Sequence, residues 1–188
     1  MLYNSPMEIF KIVKDNKKSL REKSTLIEDI HDEKLTKTLL EMIDYLKNSQ
    51  DPVWAEKNNV RAGVGLAAPQ IGINKDMLAI YFKDENGIEH QYGFMNPRII
   101  GESVRLAYLE GGEGCLSVDT EHPGYIYRSY KVTFRAYNIV TNKEEERSFN
   151  GYEAIIFQHE YDHLKGILFY DHINKKDPFK KDPDAISI

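Results

Sequence analysis

The chain of 188 residues has one cysteine and one tryptophan, and it carries no surplus of positive charge. A single cysteine excludes an internal disulfide, which agrees with a reducing, cytoplasmic setting. No stretch approaches the about 18 apolar residues of a membrane span, and residues 1–10 lack the basic and apolar regions of a secretory signal. Membrane insertion and secretion are therefore not expected. The net charge of −5 gives no global attraction to nucleic acid, so sequence-specific nucleic-acid binding is not expected and any transient ribosome contact has to be local. Internal repeats and low-complexity tracts are absent. What is present, 41% hydrophobic residues over this length, suits one catalytic domain spanning 1–188, with an N-terminal segment at 1–30 and a short non-helical tail at 174–188.

The most informative run is Gln158-His159-Glu160-Tyr161-Asp162-His163, an HExxH pattern. On a helix the two imidazoles fall on one face, roughly 40° apart and one turn above each other, where they clamp one metal ion. Glu160 projects from an adjacent direction, within reach of a water in the ion's open position. Asn150 is expected to cap this helix in a capping box with Glu153, and Gly166 to end it. The segment between, residues 152–157, is apolar on more than one face, which predicts a buried helix. A catalytic site of this kind needs a third ligand. His31, His90, His122 and His172 have no ligand spacing and read as surface histidines. Cys115 is open to two readings: a lone cysteine is commonly a small buried hydrophobe, but the neighbouring glycines leave its sulfur accessible. The glycine run 111–114 is not a phosphate loop, because no Lys-Ser/Thr pair or helix start follows.

Along the chain, residues 11–23 read as a solvated basic segment with short helical pieces. Leu35, Leu39, Met42, Ile43 and Leu46 recur with helical spacing, predicting an amphipathic helix over 32–47. Asp51-Pro52 and Asn58-Asn59 mark a loop. Strands are expected at 77–82, 90–95, 104–109 and 131–137, with a turn at 84–87. The fold class is α+β, with antiparallel β-sheets packed around a central metal-binding helix that carries HExxH.

Three runs, Gly63-Val64-Gly65-Leu66-Ala67-Ala68-Pro69-Gln70, Glu113-Gly114-Cys115-Leu116-Ser117 and the HExxH run, resemble in order the three signature motifs of peptide deformylase. The resemblance covers residues 60–170, and the stretch between the first two motifs looks like the bacterial subtype with an insertion there. It implies removal of the formyl group from the initiator methionine of nascent chains, releasing formate, with N-formylmethionyl peptides as substrates. It also implies a ferrous ion (Fe2+), for which Zn2+, Ni2+ or Co2+ substitutes, held by Cys115, His159 and His163. Glu160 is then the acid/base, and the Gln70 side chain and Leu116 N–H stabilise the oxyanion. Val64 and Gly65 form a strand edge for the peptide, Gly65 and Gly114 allow close backbone approach, and Tyr152, Ile155 and Ile156 line a pocket for the methionine side chain. Asp162 and Glu113 are candidate acceptors that orient the ligands. The alternative is an HExxH metallopeptidase, but those enzymes take their third ligand downstream of the motif, whereas Cys115 lies upstream. The tail is broken by prolines, which argues against a basic C-terminal helix.

Overall fold

The computed structural model describes residues 9–188, so the reading of residues 1–8 as lacking a signal segment lies outside the described residues. Three α-helices, α1 (Glu33–Ser49), α2 (Pro52–Asn58) and α3 (Gly151–His163), accompany eight strands. These are β1 (Gly65–Ala67), β2 (Met77–Lys83), β3 (Glu89–Glu102), β4 (Leu106–Tyr108), β5 (Arg128–Ser129), β6 (Lys131–Asn138), β7 (Lys143–Asn150) and β8 (Ile186–Ser187). One antiparallel sheet has the order β1-β2-β3-β6-β7, and a smaller one the order β5-β4-β8. No helix among the described residues is long and apolar enough to cross a membrane.

The period-two alternation of β2 explains the layering. Met77, Ala79 and Tyr81 point to one face, where they pack with Leu39, Met42, Ile43, Tyr45 and Leu46 of α1. Leu78, Ile80 and Phe82 point to the other, toward Ala154, Ile156 and Phe157 of α3. Because both faces are covered, β2 reads as an unbroken apolar run although its neighbours are antiparallel. Aromatic rings anchor the second layer: Phe134 of β6 stacks on Phe157 with ring centroids 4.0 Å apart, and Phe94 of β3 meets Phe134 edge to face at 5.0 Å.

Helix α1 starts where its amphipathic pattern does, with the Asp32 carboxylate accepting from the Leu35 N–H. Several expectations need correction. Asp51-Pro52 opens a helix rather than a loop: Asp51 accepts from the Val53 and Trp54 amides, Pro52 takes the first turn, and Asn59 ends α2 in the left-handed conformation. The Asn150 capping box does not form. Asn150 still pairs with Lys131 in the β6–β7 ladder, while Glu153 turns away to accept from the Tyr92 hydroxyl at 3.0 Å. Helix α3 ends at His163, and Gly166 closes the turn that follows. Strand β4 is shorter than expected and β3 longer, with register shifts that absorb Asn96 and Pro97. Strand β7, with the sequence KEEERSFN, was hidden because only Phe149 on it is buried.

The smaller sheet departs from an all-antiparallel arrangement, since the tail returns to lay β8 parallel to β4. The tail is non-helical, as its prolines imply, but it is tied down: the Tyr125 N–H donates to the Pro178 carbonyl at 2.8 Å, and the Tyr127 hydroxyl to that of Lys180 at 2.8 Å. Residues 11–23 are likewise more than a solvated segment. Leu20 is fully buried, the Val13 N–H donates to Gln70 O at 2.7 Å and the Asp15 N–H to Ser117 O at 3.0 Å.

Gly166 has a positive φ of 72°, and a Cβ there would sit 2.4 Å from the Arg21 carbonyl oxygen, whereas Gly87, at φ 76°, has open space. Gly87→Ala should cost only the about 1–2 kcal/mol of a left-handed alanine, and Gly166→Ala distinctly more, because backbone has to move. Urea denaturation of both variants checks this, and equal midpoints would refute the close approach.

Candidate active site

The site forms where the end of β1, the glycine loop before β5 and one face of α3 meet. A cavity there is lined by residues of all three motifs, among them Val64, Gly65, Gln70, Gly114, Cys115, Leu116, Tyr152, Ile155, Ile156, His159 and Glu160. Of the twelve residues given ligand, catalytic or substrate-binding roles from the sequence, only His163 is missing from that lining. It lies directly behind, with its Nε2 3.3 Å from Cys115 Sγ.

Cys115, His159 and His163 each offer a ligand atom, and these atoms lie within 4.8 Å of one another. The other four histidines are not part of this group, but two are less exposed than a surface reading implies. His90 stacks on Phe82 between Asp84 and Glu153, and His122 stacks on Tyr170. His172 holds Asp162 at 2.7 Å.

The donor set fits a soft-to-borderline divalent cation. One sulfur and two imidazole nitrogens converge, and a carboxylate fixes the first imidazole, since His159 Nδ1 lies 2.8 Å from Glu113, leaving Nε2 for the ion. Burial opposes charge on His159, but the bonds to Cys115 and Glu113 outweigh it and hold its pKa well above the ordinary value. Burial, together with the positive charge of His159 and Arg128, holds His163 well below it. A neutral imidazole is the form that binds a metal.

Glu113 is no surface carboxylate. Arg128, buried on β5, grips it through Nε at 2.6 Å and Nη2 at 2.9 Å, and reaches Asp162 through Nη1 at 2.9 Å. Burial raises the Glu113 pKa, but the His159 and Arg128 bonds outweigh it and bring the value to about 2. Asp162 orients no ligand directly; it spans Arg128 and His172. Sequence reasoning missed Arg128, which stands in no motif. The only hint was a need to neutralise two acidic residues next to the ligands.

Glu160 is 4% exposed, and its Oε2 has no hydrogen-bond partner among the described residues. Burial is the main cause that lifts its pKa to about 7. Gly65 makes the position possible, since a Cβ there would sit 2.3 Å from Glu160 Oε1. The close approach expected at Gly65 is thus to Glu160, while a Cβ at Gly114 would meet nothing within 4 Å and leaves open space. Gln70 is set by a 3₁₀ turn, Ala68–Ile71. Its Oε1 accepts from the Ala67 N–H at 2.8 Å, which aims its Nε2 at Cys115 Sγ (3.5 Å) and Ser117 Oγ (3.1 Å). Strand β1 is the edge of the large sheet, so one side of Val64-Gly65 is free of strand pairing among the described residues. Tyr152, 38% exposed, stands at the cavity mouth, with Ile155 and Ile156 buried behind it.

The chain matches the family model described as polypeptide deformylase over residues 9–179. It is 51% identical over 150 residues to "Peptide deformylase 2" of Bacillus cereus, covering 80% of this chain and 81% of that one. With "Peptide deformylase 2" of Bacillus subtilis it shares 44% identity over 177 residues, 94% of this chain and 96% of the relative. The crystal structure of peptide deformylase from Thermotoga maritima is similar at TM-score 0.70 and 29% identity, covering 89% of this chain and 99% of that chain.

Removing Arg128 leaves Glu113 and Asp162 buried without their cation. Arg128→Met should therefore destabilise the fold by about 3–5 kcal/mol. Chemical denaturation measures it, and a loss below about 1 kcal/mol would mean that water replaces the guanidinium.

Proposed function

Because the chain belongs to the peptide deformylase family, we propose that it is a metal-dependent amide hydrolase that removes the N-formyl group from formylmethionyl peptides and nascent chains, releasing formate. The observation that carries the reading is the convergence of Cys115, His159 and His163 beside a buried carboxylate with an unpartnered oxygen.

Cys115, His159 and His163 would hold the ion, which we read as Fe2+ with Zn2+, Ni2+ or Co2+ as substitutes, and when bound it would supply Lewis acidity toward a water and the formyl carbonyl. Glu160 takes the proton of the attacking water and later delivers it to the departing amine nitrogen. A pKa near neutrality suits a group that must both accept and donate. The Gln70 amide and Leu116 N–H donate to the oxygen that gains negative charge, and Glu113 keeps His159 in orientation through its Nδ1. The free edge at Val64-Gly65 takes the peptide as an added strand, and the space around Gly114 admits its backbone. Tyr152, Ile155 and Ile156 form an apolar recess for an unbranched methionine side chain. We read the stretch between the first two motifs as that of the bacterial subtype carrying an insertion. We read the chain as one catalytic domain acting in the cytoplasm, with only transient, local contact to the ribosome.

Formate release from formyl-Met and acetyl-Met peptides tests the assignment. The formyl substrate should be faster by well over about tenfold in kcat/KM, since the Gln70 amide and the Leu116 N–H have to converge on one small carbonyl, where a methyl is an added steric load. Comparable rates would leave a general amidohydrolase in its place. Glu160→Ala should keep its metal and lose about 10²- to 10⁴-fold in turnover. Metal analysis alongside the assay checks this, and near-normal turnover with metal bound would remove Glu160 from the proton path.

A further inference from the structure

We propose that Arg61 is a positioning residue that orients and polarises the peptide unit bearing the Leu116 N–H, with Lys14 holding the next peptide unit through the Leu116 carbonyl; this rests on the deformylase reading above. Arg61 Nη2 donates to the carbonyls of Cys115 (3.0 Å), Leu116 (2.8 Å) and Val118 (3.1 Å). Lys14 Nζ donates to the same Leu116 carbonyl at 3.0 Å. Asp119 ties the two cations together, at 2.8 Å from Lys14 and 3.2 Å from Arg61.

The Cys115 carbonyl and the Leu116 N–H belong to one planar peptide unit. In a trans peptide the two point in opposite directions, so a cation anchoring the carbonyl oxygen fixes the direction of the N–H on the far side. It also draws electron density toward the oxygen, which makes the N–H a stronger donor. The neighbouring backbone is fixed from the same side. The Asp15 N–H holds Ser117 O at 3.0 Å, and the Val13 N–H holds Gln70 O at 2.7 Å. Residues 13–15 thereby bridge the two backbone segments that present the proposed oxyanion donors, Gln70 and Leu116. Arg61 stands two residues before the first motif and contacts the second, so it couples both.

The full-length protein, loaded with zinc and assayed with a formyl-Met peptide, tests this with R61M, R61K and K14M. For R61M we expect kcat to fall about tenfold with KM within about twofold, less than the about 10²- to 10³-fold for deleting a donor outright. R61K should recover part of the loss, because an ammonium can hold one carbonyl, and K14M should show a smaller loss in the same direction. The Leu116 amide proton resonance of R61M should move upfield as its peptide unit loses the cation. An effect confined to KM would make Arg61 a ground-state contact for the peptide and overturn the proposal, as would an unchanged Leu116 resonance or an R61K no better than R61M. If R61M does not fold, R61K decides alone: a lower kcat with an upfield Leu116 resonance supports the proposal, and an unchanged resonance overturns it. Wild-type protein that releases no formate would instead remove the deformylase reading, which separates the two failures.

Discussion

The buried Arg128 guanidinium is the constraint on which the site's geometry depends. It joins the glycine loop, through Glu113, to the helix, through Asp162, and it does so from β5, a two-residue strand. Gln158 fastens that strand to α3, accepting from the Ser129 N–H at 3.0 Å and donating to its carbonyl at 2.8 Å. Such a group is costly to desolvate, and apolar packing of equal volume would serve stability as well or better. Its value lies in direction. Three carboxylate oxygens are held at fixed positions, and one of those carboxylates in turn holds His159.

The same region leaves Glu160 unsatisfied. Every other carboxylate of the buried cluster has a cation or an imidazole, whereas Glu160 keeps a free oxygen in a site with little water access. A residue in that state destabilises the fold, and the architecture tolerates it only because Gly65 has no side chain. Satisfaction at Glu113 and want at Glu160, within one turn of each other's histidine partners, push their pKa values apart, to about 2 and about 7. That separation gives one carboxylate a fixed charge and the other a transferable proton.

Much of this was legible in the sequence, where side-chain chemistry is local. HExxH read correctly as one helix face because helical spacing alone brings His159 and His163 together, and α1 followed from its apolar stripe and Asp32 cap. Strand β2 was visible for the same reason, being apolar throughout. The misses share a cause. Strand β7 is made by pairing with β6 rather than by burial, α2 is too short to show a period, and the Asn150 cap lost to a ladder bond that no local pattern reveals. Arg128 lies outside all three motifs, and only the tertiary fold brings it between Glu113 and Asp162.

The N-terminal segment carries this argument furthest. Residues 11–23 have the composition of a solvated arm, and hydrophobic patterning assigns them no structural work. Apart from the buried Leu20, their contribution to the site is made by backbone amides and the Lys14 ammonium, groups that carry no hydrophobic pattern. Val13 and Asp15 use their N–H groups to satisfy carbonyls of the Gln70 turn and the Ser117 loop, adding a backbone bridge to the direct bond between the Gln70 amide and Ser117 Oγ. A loop rich in glycine has much conformational freedom to lose, and Gly111, Gly112 and Gly114 all precede Cys115. Bonds to the carbonyls that follow Cys115 restrict that loop without filling the space over Gly114. The chain thus keeps the approach to the cavity open and the far side of the same loop rigid, with the rigidity supplied from a segment distant in sequence.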